Sequence, residues 1–311
     1  MGVRVGVVGP GAIAERHAAA LLAAGAELVA VAGPEREQTT AFARGFGVPA
    51  AYGTAEELYA HPGLDAVVIA SPHAHHARQT LTALEAGLHV LCEIPIALSL
   101  PEAQAVAEAA RAAGRHVAVA HTLRHCLPYL RVREEVERGA LHVRHIVART
   151  LMLRQDDTGM GGRPRGWTDD VLWHHGAHTV DAALWFLGAT GAEVRGMRGE
   201  SWARSGRPMD GGAVLRTPDG GLATIALSYH ARLPSRDMTI IAEDRTLHLS
   251  GGVLREHDGT VLVDCGDQME DDGLARQDAD FVAAITGGRP PGCAVADILP
   301  AMRVLHEWGA Q

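Results

Sequence analysis

Short apolar segments alternate with amphipathic ones along the first 120 residues of the chain. Five apolar segments are short and continuous, as buried strands are, and they span 3–8, 27–32, 65–70, 88–92 and 116–120. Helices are predicted between them, near 14–24, 36–46, 55–60, 75–86 and 101–113. Continuous apolar strands separated by helices are typical of a parallel sheet covered on both faces. The pattern therefore predicts a doubly wound α/β domain over residues 1–121.

The pattern changes after residue 121. A helix is predicted at 128–138 and a long strand at 143–153, followed by an irregular segment at 155–170. From 193 to 264 successive strands are separated by turn signals and show no helical period, which indicates a mostly antiparallel sheet. Further helices are predicted at 177–187, 274–286 and 296–308. Residues 122–311 are therefore expected to form an α+β domain with a large open sheet.

Composition limits the kinds of partner. Aromatic residues make up only 4% of the 311 residues, so the core must be built from Ala, Val and Leu. The net charge is −9 and no cluster of Lys or Arg is present, which argues against nucleic acid or an anionic membrane as a partner. We find no signal-peptide pattern and no apolar run of about 18 residues. With four scattered cysteines, these features indicate a cytoplasmic protein with reduced thiols.

A glycine turn joins the first strand to the first helix. It reads Gly9-Pro-Gly11-Ala12-Ile13-Ala14, in which Gly9 permits a tight turn, Gly11 lets a diphosphate approach and Ala14 allows close packing. The N-terminus of the helix offers N–H groups and partial positive charge to phosphates. A tight turn without a ligand could show the same pattern. Its position at the start of an α/β domain favours a bound dinucleotide, NAD or NADP, contacted by Gly9, Gly11, Ala12 and Ile13.

The end of the second strand bears on the choice between NAD and NADP. An acidic residue there would bind the ribose 2′-hydroxyl of NAD, but Gly33 occupies that position and Arg36 could reach a 2′-phosphate. Glu35 could still turn inward. We expect Gly33 and Arg36 to lie at the cofactor, and NADP to be slightly favoured.

Two further loops follow predicted strands, at the edge of a parallel sheet where ligands bind. Ser71, Pro72 and His76 come after the third predicted strand, and Glu93 and Pro95 come after the fourth. All five are predicted to line the cofactor site. His76 could equally be a helix-entry residue that packs on the sheet.

The densest group of functional side chains reads Trp173-His174-His175-Gly176-Ala177-His178-Thr179-Val180-Asp181. In a helix His174 and His178 would share a face, with Asp181 one turn beyond His178. A carboxylate so placed can orient an imidazole that acts as a general base. Two other interpretations stay open: the histidines could bind a metal, although no third ligand is evident, or they could pack at a helix N-terminus. We favour a catalytic site without a metal.

These motifs together resemble the Gfo/Idh/MocA family of oxidoreductases. The resemblance covers essentially the whole chain and lies in Gly9-Pro-Gly-Ala-Ile-Ala14, Cys92-Glu93-Ile94-Pro95 and His178-Thr-Val-Asp181. It implies a Rossmann domain over 1–121 and a substrate and oligomerisation domain over 122–311. In this family the outer face of the open sheet commonly forms the subunit interface, so a homo-oligomer, a dimer or tetramer, is expected.

Two positions depart from the family pattern, because Ile94 replaces its usual lysine and His174 its usual aspartate. One subgroup also lacks the lysine and carries similar strings, His121-Thr-Leu-Arg124 and Arg165-Gly-Trp167-Thr-Asp-Asp-Val-Leu-Trp-His-His-Gly-Ala-His-Thr-Val-Asp181. Its members use NADP to oxidise the cyclic hemiacetal of 4-carboxy-2-hydroxymuconate-6-semialdehyde to 2-pyrone-4,6-dicarboxylate, in the protocatechuate 4,5-cleavage pathway. His125 stands where a second arginine would be expected.

The resemblance to this subgroup implies roles for individual residues. His178 would be the general base, with Asp181 orienting it and His174 as the alternative or helper. The expected substrate, a small dicarboxylate, would contact Arg124, Arg165, Trp167, His121 and His175, and the two arginines could bind its carboxylates bidentately. Two alternatives stay open: a sugar or polyol dehydrogenase of the same family, and a catalytically inactive dinucleotide-binding sensor.

Overall fold

The structure is a computed structural model that describes residues 2–156, 158, 162 and 170–311. The chain forms two compact units, and neither is continuous in sequence. The first unit comprises residues up to 122 and a returning segment at 274–297, which the division at residue 121 did not include. The second comprises 123–156, 170–273 and 298–311. Most of the segment 155–170, expected to be irregular, lies outside the described residues.

A six-stranded parallel sheet forms the centre of the first unit, with the strand order β3-β2-β1-β4-β5-β6. Its strands are β1 Arg4–Val8, β2 Glu27–Ala32, β3 Ala50–Tyr52, β4 Ala66–Ile69, β5 His89–Cys92 and β6 Val117–Val119. The predicted doubly wound sheet is confirmed, with one more strand than expected. The additional strand, β3, has only three residues and none of them is fully buried, so it lacks the continuous apolar run that marks the others.

Helices connect the strands of both units. They are α1 Ala12–Ala23, α2 Arg36–Phe46, α3 Ala55–Tyr59, α4 His76–Glu85, α5 Leu100–Ala113, α6 Leu127–Glu137, α7 Ala177–Phe186, α8 Met269–Gly287 and α9 Leu299–Gly309. Each matches a predicted helix to within a few residues. In the described parts of the chain, no helix has the length and apolar character needed to cross a membrane.

The core of the first unit consists mainly of small aliphatic side chains, as the scarcity of aromatic residues requires. Val5, Val7 and Leu91 are fully buried in the sheet. Ala14 and Ala18 of α1 are buried in the same core, and their small side chains let the helix approach the sheet closely. This close approach fixes the N-terminus of α1 directly after the glycine turn.

An eight-stranded sheet forms the second unit, with the order β16-β15-β14-β13-β7-β12-β11-β8. The strands are β7 Val143–Leu153, β8 Glu193–Arg198, β9 Ser201–Trp202, β10 Arg207–Pro208, β11 Asp210–Arg216, β12 Leu222–Ser228, β13 His230–Ala242, β14 Thr246–Ser250, β15 Val253–Glu256 and β16 Val261–Asp264, of which β9 and β10 form a separate hairpin. Within this sheet only β7 and β12 pair in parallel. The expected large, mostly antiparallel sheet is confirmed.

Alternation along the strands defines the two faces of this sheet. On β12 the side chains of Ala223, Ile225 and Leu227 are buried, and residues between them are less so. Helix α7 packs on this strand and on β7. The histidine-rich segment that precedes α7 therefore lies against the sheet.

Candidate functional site

The glycine turn after β1 has the geometry that a dinucleotide site requires. Gly9 has a φ of +90°, and a Cβ atom there would lie 2.7 Å from the carbonyl oxygen of Ala70, so only glycine fits. A Cβ atom at Gly11 would meet nothing within 4 Å, which leaves open space before the first N–H groups of α1. These N–H groups and the partial positive charge of the helix would hold the diphosphate there. The residues present therefore fit the cofactor.

Gly33 has a structural reason to be glycine. A Cβ atom at Gly33 would lie 2.5 Å from Cδ of Pro10 and 2.9 Å from the hydroxyl oxygen of Thr39. An acidic side chain that could bind a ribose hydroxyl is thus excluded from this position. Arg36 begins α2 and is exposed, so its guanidinium is accessible to an anion near the end of β2.

The side chain of His76 contacts the backbone of two loops. It is fully buried, and its Nδ1 and Nε2 atoms each lie 2.8 Å from a backbone carbonyl oxygen, that of Pro95 and that of Ser71 respectively. Burial lowers the pKa of His76, and the neutral ring has one N–H, which can donate to one of these two carbonyl oxygens. The imidazole thus lies between the loops that follow β4 and β5. These contacts fit the interpretation of His76 as a helix-entry residue packed on the sheet, and its contact with cofactor stays a prediction.

Glu93 also has its polar atoms engaged by the protein. Its Oε1 lies 3.0 Å from Nε2 of His17, and its Oε2 accepts the N–H of Ile94. The other ring nitrogen of His17, Nδ1, lies 2.8 Å from a carboxylate oxygen of Asp278 on α8. We refer to His17, Glu93 and Asp278 as the buried ionic triad. The Glu93 carboxylate, which was predicted to contact cofactor, is thus within hydrogen-bond distance of the His17 imidazole.

In the buried ionic triad, the imidazole and the two carboxylates stabilise each other's charged forms. Burial alone would lower the pKa of His17, but the carboxylates of Asp278 and Glu93 together raise it to about 10. Burial would raise the pKa of Glu93, yet the hydrogen bond and charge of His17 lower it overall. His17 is therefore an imidazolium at neutral pH, between two carboxylates. No local motif marks this triad in the sequence, because its members are up to 261 positions apart.

In the second unit the histidine-rich segment begins with a π-helical turn at Leu172–Gly176. The buried carboxylate of Asp170 caps this turn by accepting the N–H groups of Leu172 and Trp173, both at 3.0 Å. The N–H of Gly176 then donates to the carbonyl oxygen of Val171, five residues earlier. Helix α7 continues directly from Ala177. Such wide turns are frequent at functional sites, and here the turn contains His174 and His175.

Tyr229 brings His174 and His175 together. Its phenol oxygen lies 2.7 Å from Nδ1 of His175 and 3.0 Å from Nδ1 of His174. The two imidazole rings are 4.1 Å apart between centroids, and the guanidinium of Arg154 lies over the Tyr229 ring at 5.4 Å. Tyr229 is fully buried, whereas the two histidines are half-buried. Tyr229 and Arg154 are not marked by any sequence motif, so neither was predicted as a site residue.

The structure changes the expected role of Arg124. Its Nε and Nη2 donate to the two carboxylate oxygens of Asp181 at 2.8 and 2.7 Å, and both side chains are buried. The planar fork that was expected to bind a substrate carboxylate is engaged by Asp181. Likewise, the carboxylate expected to orient His178 is held by Arg124. A buried arginine requires such a partner, because an uncompensated charge is costly to bury.

The other predicted site residues occupy several places. His178 lies half-buried in the first turn of α7, and His121 is buried directly after β6. Ser71 and Pro72 follow β4, and the Ser71 hydroxyl donates to the side chain of Gln79. Arg165 and Trp167 lie outside the described residues. Across the residues that the structure describes, no three His, Cys, Asp or Glu side chains are grouped to hold a metal ion.

Comparison with known proteins agrees with this architecture. Residues 3–121 match the model of an oxidoreductase family with an NAD-binding Rossmann fold, and residues 128–248 match the C-terminal domain of bacterial oxidoreductases. A curated relative, 4-carboxy-2-hydroxymuconate-6-semialdehyde dehydrogenase of a Sphingobium species, is 30% identical over 99% of this chain and 98% of its own. Inositol 2-dehydrogenase 4 of Saccharopolyspora erythraea is 29% identical over 72% of this chain and 66% of its own.

A solved structure shows the same fold at lower sequence similarity. The oxidoreductase of Agrobacterium radiobacter, in complex with NAD+, L-tartaric acid and magnesium, superimposes with a TM-score of 0.87 at 19% identity. The match covers 100% of this chain and 97% of that chain. The fold and the glycine turn define an NAD(P)-dependent oxidoreductase. The chain belongs to the Gfo/Idh/MocA family of oxidoreductases.

Proposed function

We propose that this enzyme oxidises the cyclic hemiacetal of 4-carboxy-2-hydroxymuconate-6-semialdehyde to 2-pyrone-4,6-dicarboxylate. The observation that carries the proposal is the cluster of His174, His175 and Tyr229 at the π-helical turn. It supplies proton acceptors in a chain that has Ile94 where the family usually has lysine. The near full-length similarity to a dehydrogenase named for this substrate adds support.

Oxidation of a hemiacetal requires one proton and one hydride to leave. The C–H bond breaks with its electron pair, the O–H proton passes to a base, and the carbon–oxygen double bond of the lactone forms. The nicotinamide, when bound, supplies the hydride acceptor. We assign the proton to the imidazole of His178, with His174 as the alternative, because a positioned imidazole is suited to this transfer near neutral pH.

A dicarboxylate substrate needs cations that can accept carboxylate oxygens. The fork of Arg124 is engaged by Asp181, so we assign a substrate carboxylate to Arg154 instead. The Arg154 guanidinium lies against Tyr229, whose phenol contacts both histidines, and a guanidinium can bind a carboxylate bidentately. Arg165 remains a second candidate for the other carboxylate.

We further propose that NADP is slightly favoured over NAD. An acidic side chain at position 33 would favour NAD by binding its ribose hydroxyl, but there is no space for a side chain at Gly33. The exposed Arg36 is the cation that would meet a 2′-phosphate.

We also propose a homo-oligomer that uses the exposed face of the large sheet. Val214 on β11 is 45% exposed between the buried Ala213 and Leu215, and Met197 on the neighbouring β8 is 79% exposed. Apolar side chains of this size in water favour association with a second copy.

A second candidate function is that of a polyol or sugar dehydrogenase. The observation that favours it is the similarity to inositol 2-dehydrogenase over 72% of this chain. Such an enzyme would oxidise a neutral ring hydroxyl and would have no need of a cation for a carboxylate.

Absorbance of the reduced cofactor distinguishes the two candidates. Enzymatically ring-opened protocatechuate, myo-inositol and glucose are each offered with NAD and with NADP at matched concentrations. We expect turnover of the ring-opened dicarboxylate, with a lower KM for NADP, and His178→Asn should reduce kcat by about 10²–10⁴-fold. Turnover of inositol or glucose alone would overturn the proposed substrate, and a lower KM for NAD would overturn the cofactor preference.

A further inference from the structure

Asp170 fixes the beginning of the π-helical turn. The residue is only 5% exposed, and its Oδ1 accepts the N–H groups of Leu172 and Trp173, both at 3.0 Å. Its backbone carbonyl oxygen accepts the next N–H, that of His174, at 3.2 Å. The first N–H groups of a helical segment have no partner within the segment. A single residue therefore binds three successive N–H groups at the start of this turn.

The other carboxylate oxygen of Asp170 faces a cation. Its Oδ2 lies 3.8 Å from Nη1 of Arg198, the last residue of β8. Burial raises the pKa of Asp170, while the hydrogen bonds from the turn and the charges of Arg198 and Arg207 oppose that rise. The carboxylate thus has one oxygen at the turn and the other at an arginine of the sheet.

Gly176 fixes the end of the same turn. It is buried, and its N–H donates to the carbonyl oxygen of Val171 at 2.9 Å. A Cβ atom at this position would lie 2.9 Å from Cδ1 of Leu227 on β12 and 3.3 Å from Cδ1 of Leu172. The backbone of the turn is therefore in close contact with the sheet here, and a larger residue would require the turn or its neighbours to move.

We propose that Asp170 and Gly176 are positioning residues that hold the two ends of the π-helical turn and thereby set the place of the His174 and His175 imidazoles. Both histidines lie on the short segment between these two fixed ends. Helix α7 continues directly from the turn, so His178 would move with it. A misplacement of about 1 Å can cost an enzyme on the order of a hundredfold in rate.

The turn requires a hydrogen-bond acceptor at position 170. Asn has a side-chain oxygen without the charge and caps helices about as well as Asp, whereas Ala has no such oxygen and is a poor cap. Asp170→Asn therefore keeps the cap and removes the charge that faces Arg198, and Asp170→Ala removes both. If the charge were what matters, the two variants would behave alike.

Carbon NMR of enzyme labelled with ¹³C-histidine tests the placement directly, without substrate. Variants His174→Asn and His175→Asn identify the two ring signals, and all spectra are recorded at one pH. In Asp170→Ala we expect both signals to shift, and in Asp170→Asn we expect them to stay near their wild-type positions. Unshifted signals in folded Asp170→Ala would overturn the inference, and so would equal shifts in the two variants.

Thr54→Ala is the matched control, because Thr54 caps α3 of the first unit by accepting the N–H of Glu57. It also removes a helix cap, but it should leave both ring signals and kcat unchanged. Gly176→Ala tests the other end of the turn and decides the question even if Asp170→Ala does not fold. Its methyl group should shift the same two signals, and their constancy would overturn the inference.

Kinetics then separate this inference from the proposed function, on which its catalytic consequence rests. Asp170→Ala should lower kcat by about tenfold to a hundredfold with KM for the cofactor unchanged, and Asp170→Asn should keep most of the wild-type kcat. Shifted signals in Asp170→Ala, together with a wild type that does not turn over the dicarboxylate, would refute the proposed function alone. Turnover by the wild type, together with unshifted signals in Asp170→Ala, would refute this inference alone.

Discussion

The first unit holds His17 between two carboxylates, whereas the second unit holds His174 and His175 against a single phenol. The contacts have similar lengths, 2.8 and 3.0 Å for His17 and 2.7 and 3.0 Å for the other two. Their consequences differ because the partners differ. Two carboxylates fix the charge of His17, since its pKa is raised to about 10. A phenol is neutral and adds no charge to the two imidazoles that it contacts.

The difference separates a structural histidine from one suited to chemistry. A histidine that keeps its proton at every physiological pH cannot act as a base there. Its charge instead neutralises Glu93 at the end of β5 and joins α1 to α8 through Asp278. A neutral imidazole, in contrast, always retains one nitrogen that can accept a proton. Burial with hydrogen bonds therefore does not identify a catalytic histidine until the charge of its partners is known.

The largest expected effect comes from removing the imidazolium of the buried ionic triad. His17→Leu leaves the carboxylates of Glu93 and Asp278 buried without a cation, which should lower the free energy of unfolding by about 3–5 kcal/mol. Urea unfolding monitored by circular dichroism measures this change. His89→Leu is a matched control in the same unit, because the His89 ring accepts a backbone N–H from His116, and burial lowers its pKa to about 4, so the substitution removes a neutral imidazole.

The triple variant His17→Leu, Glu93→Gln, Asp278→Asn shows whether charge causes this loss. Without the two carboxylates, the cost of burying unpaired charge disappears, and most of the lost stability should return. If the triple variant is as unstable as His17→Leu, the loss of stability comes from packing. The charge of His17 would then not be what distinguishes it from His174 and His175.

The raised pKa of His17 predicts a specific dependence of stability on pH. An unfolded histidine titrates near pH 6.5, and folded His17 titrates near pH 10. The stabilisation from His17 is therefore complete below pH 6.5, declines as pH rises from there, and is lost above about pH 10. Between these values the contribution should fall by about 1.4 kcal/mol per pH unit.

Urea unfolding of the wild type and of the triple variant, which has no ionisable group at these three positions, isolates this slope between pH 6.5 and 8. Other groups whose pKa burial raises, such as Cys92, are present in both proteins, so their contributions cancel in the difference. The difference in stability between the two proteins should shrink as pH rises. A difference that is constant with pH would contradict a charged His17.

Much of the fold could be predicted from the sequence, because apolar periodicity is a local property. Strand β7 was predicted with the bounds that the structure shows, Val143–Leu153. The missed strand, β3, is short and has half-exposed ends, so its pairing with β2 rather than its own composition makes it a strand. The wide turn at Leu172–Gly176 was also missed, because an extra residue in a helical turn leaves no mark in the apolar pattern.

The candidate site was less predictable, because side-chain partners depend on tertiary contacts. The glycine turn and the histidine-rich segment are local motifs, and both were found. Tyr229 approaches His174 from 55 positions away along the chain. It lies between β12 and β13, and nothing in its local sequence distinguishes it from a core tyrosine. Arg124 was predicted to bind substrate because the sequence reveals the charge of a side chain but not its tertiary partner, here Asp181.

A smaller effect should follow from removing the cation beside the phenol. Arg154→Met deletes the guanidinium that we assign to a substrate carboxylate, and hydrogen bonds to charged groups are worth about 1.5–3 kcal/mol. KM for the ring-opened dicarboxylate should therefore rise about tenfold to a hundredfold. Loss of the contact with the Tyr229 ring should lower the free energy of unfolding by only about 0.5–1 kcal/mol.

Arg144→Met provides the matched control, because Arg144 lies on β7 with an exposed ion pair to Glu243 and should change neither quantity appreciably. A monomethyl ester of the substrate sharpens the test. If Arg154 contacts the esterified carboxylate, the ester should bind wild type and Arg154→Met with the same KM. A variant that loses stability while KM for the dicarboxylate stays unchanged would make Arg154 a structural cation. The second unit would then hold a cation for stability alone, as the first unit holds the imidazolium of His17. The two units would no longer differ in whether their charged groups serve stability or chemistry.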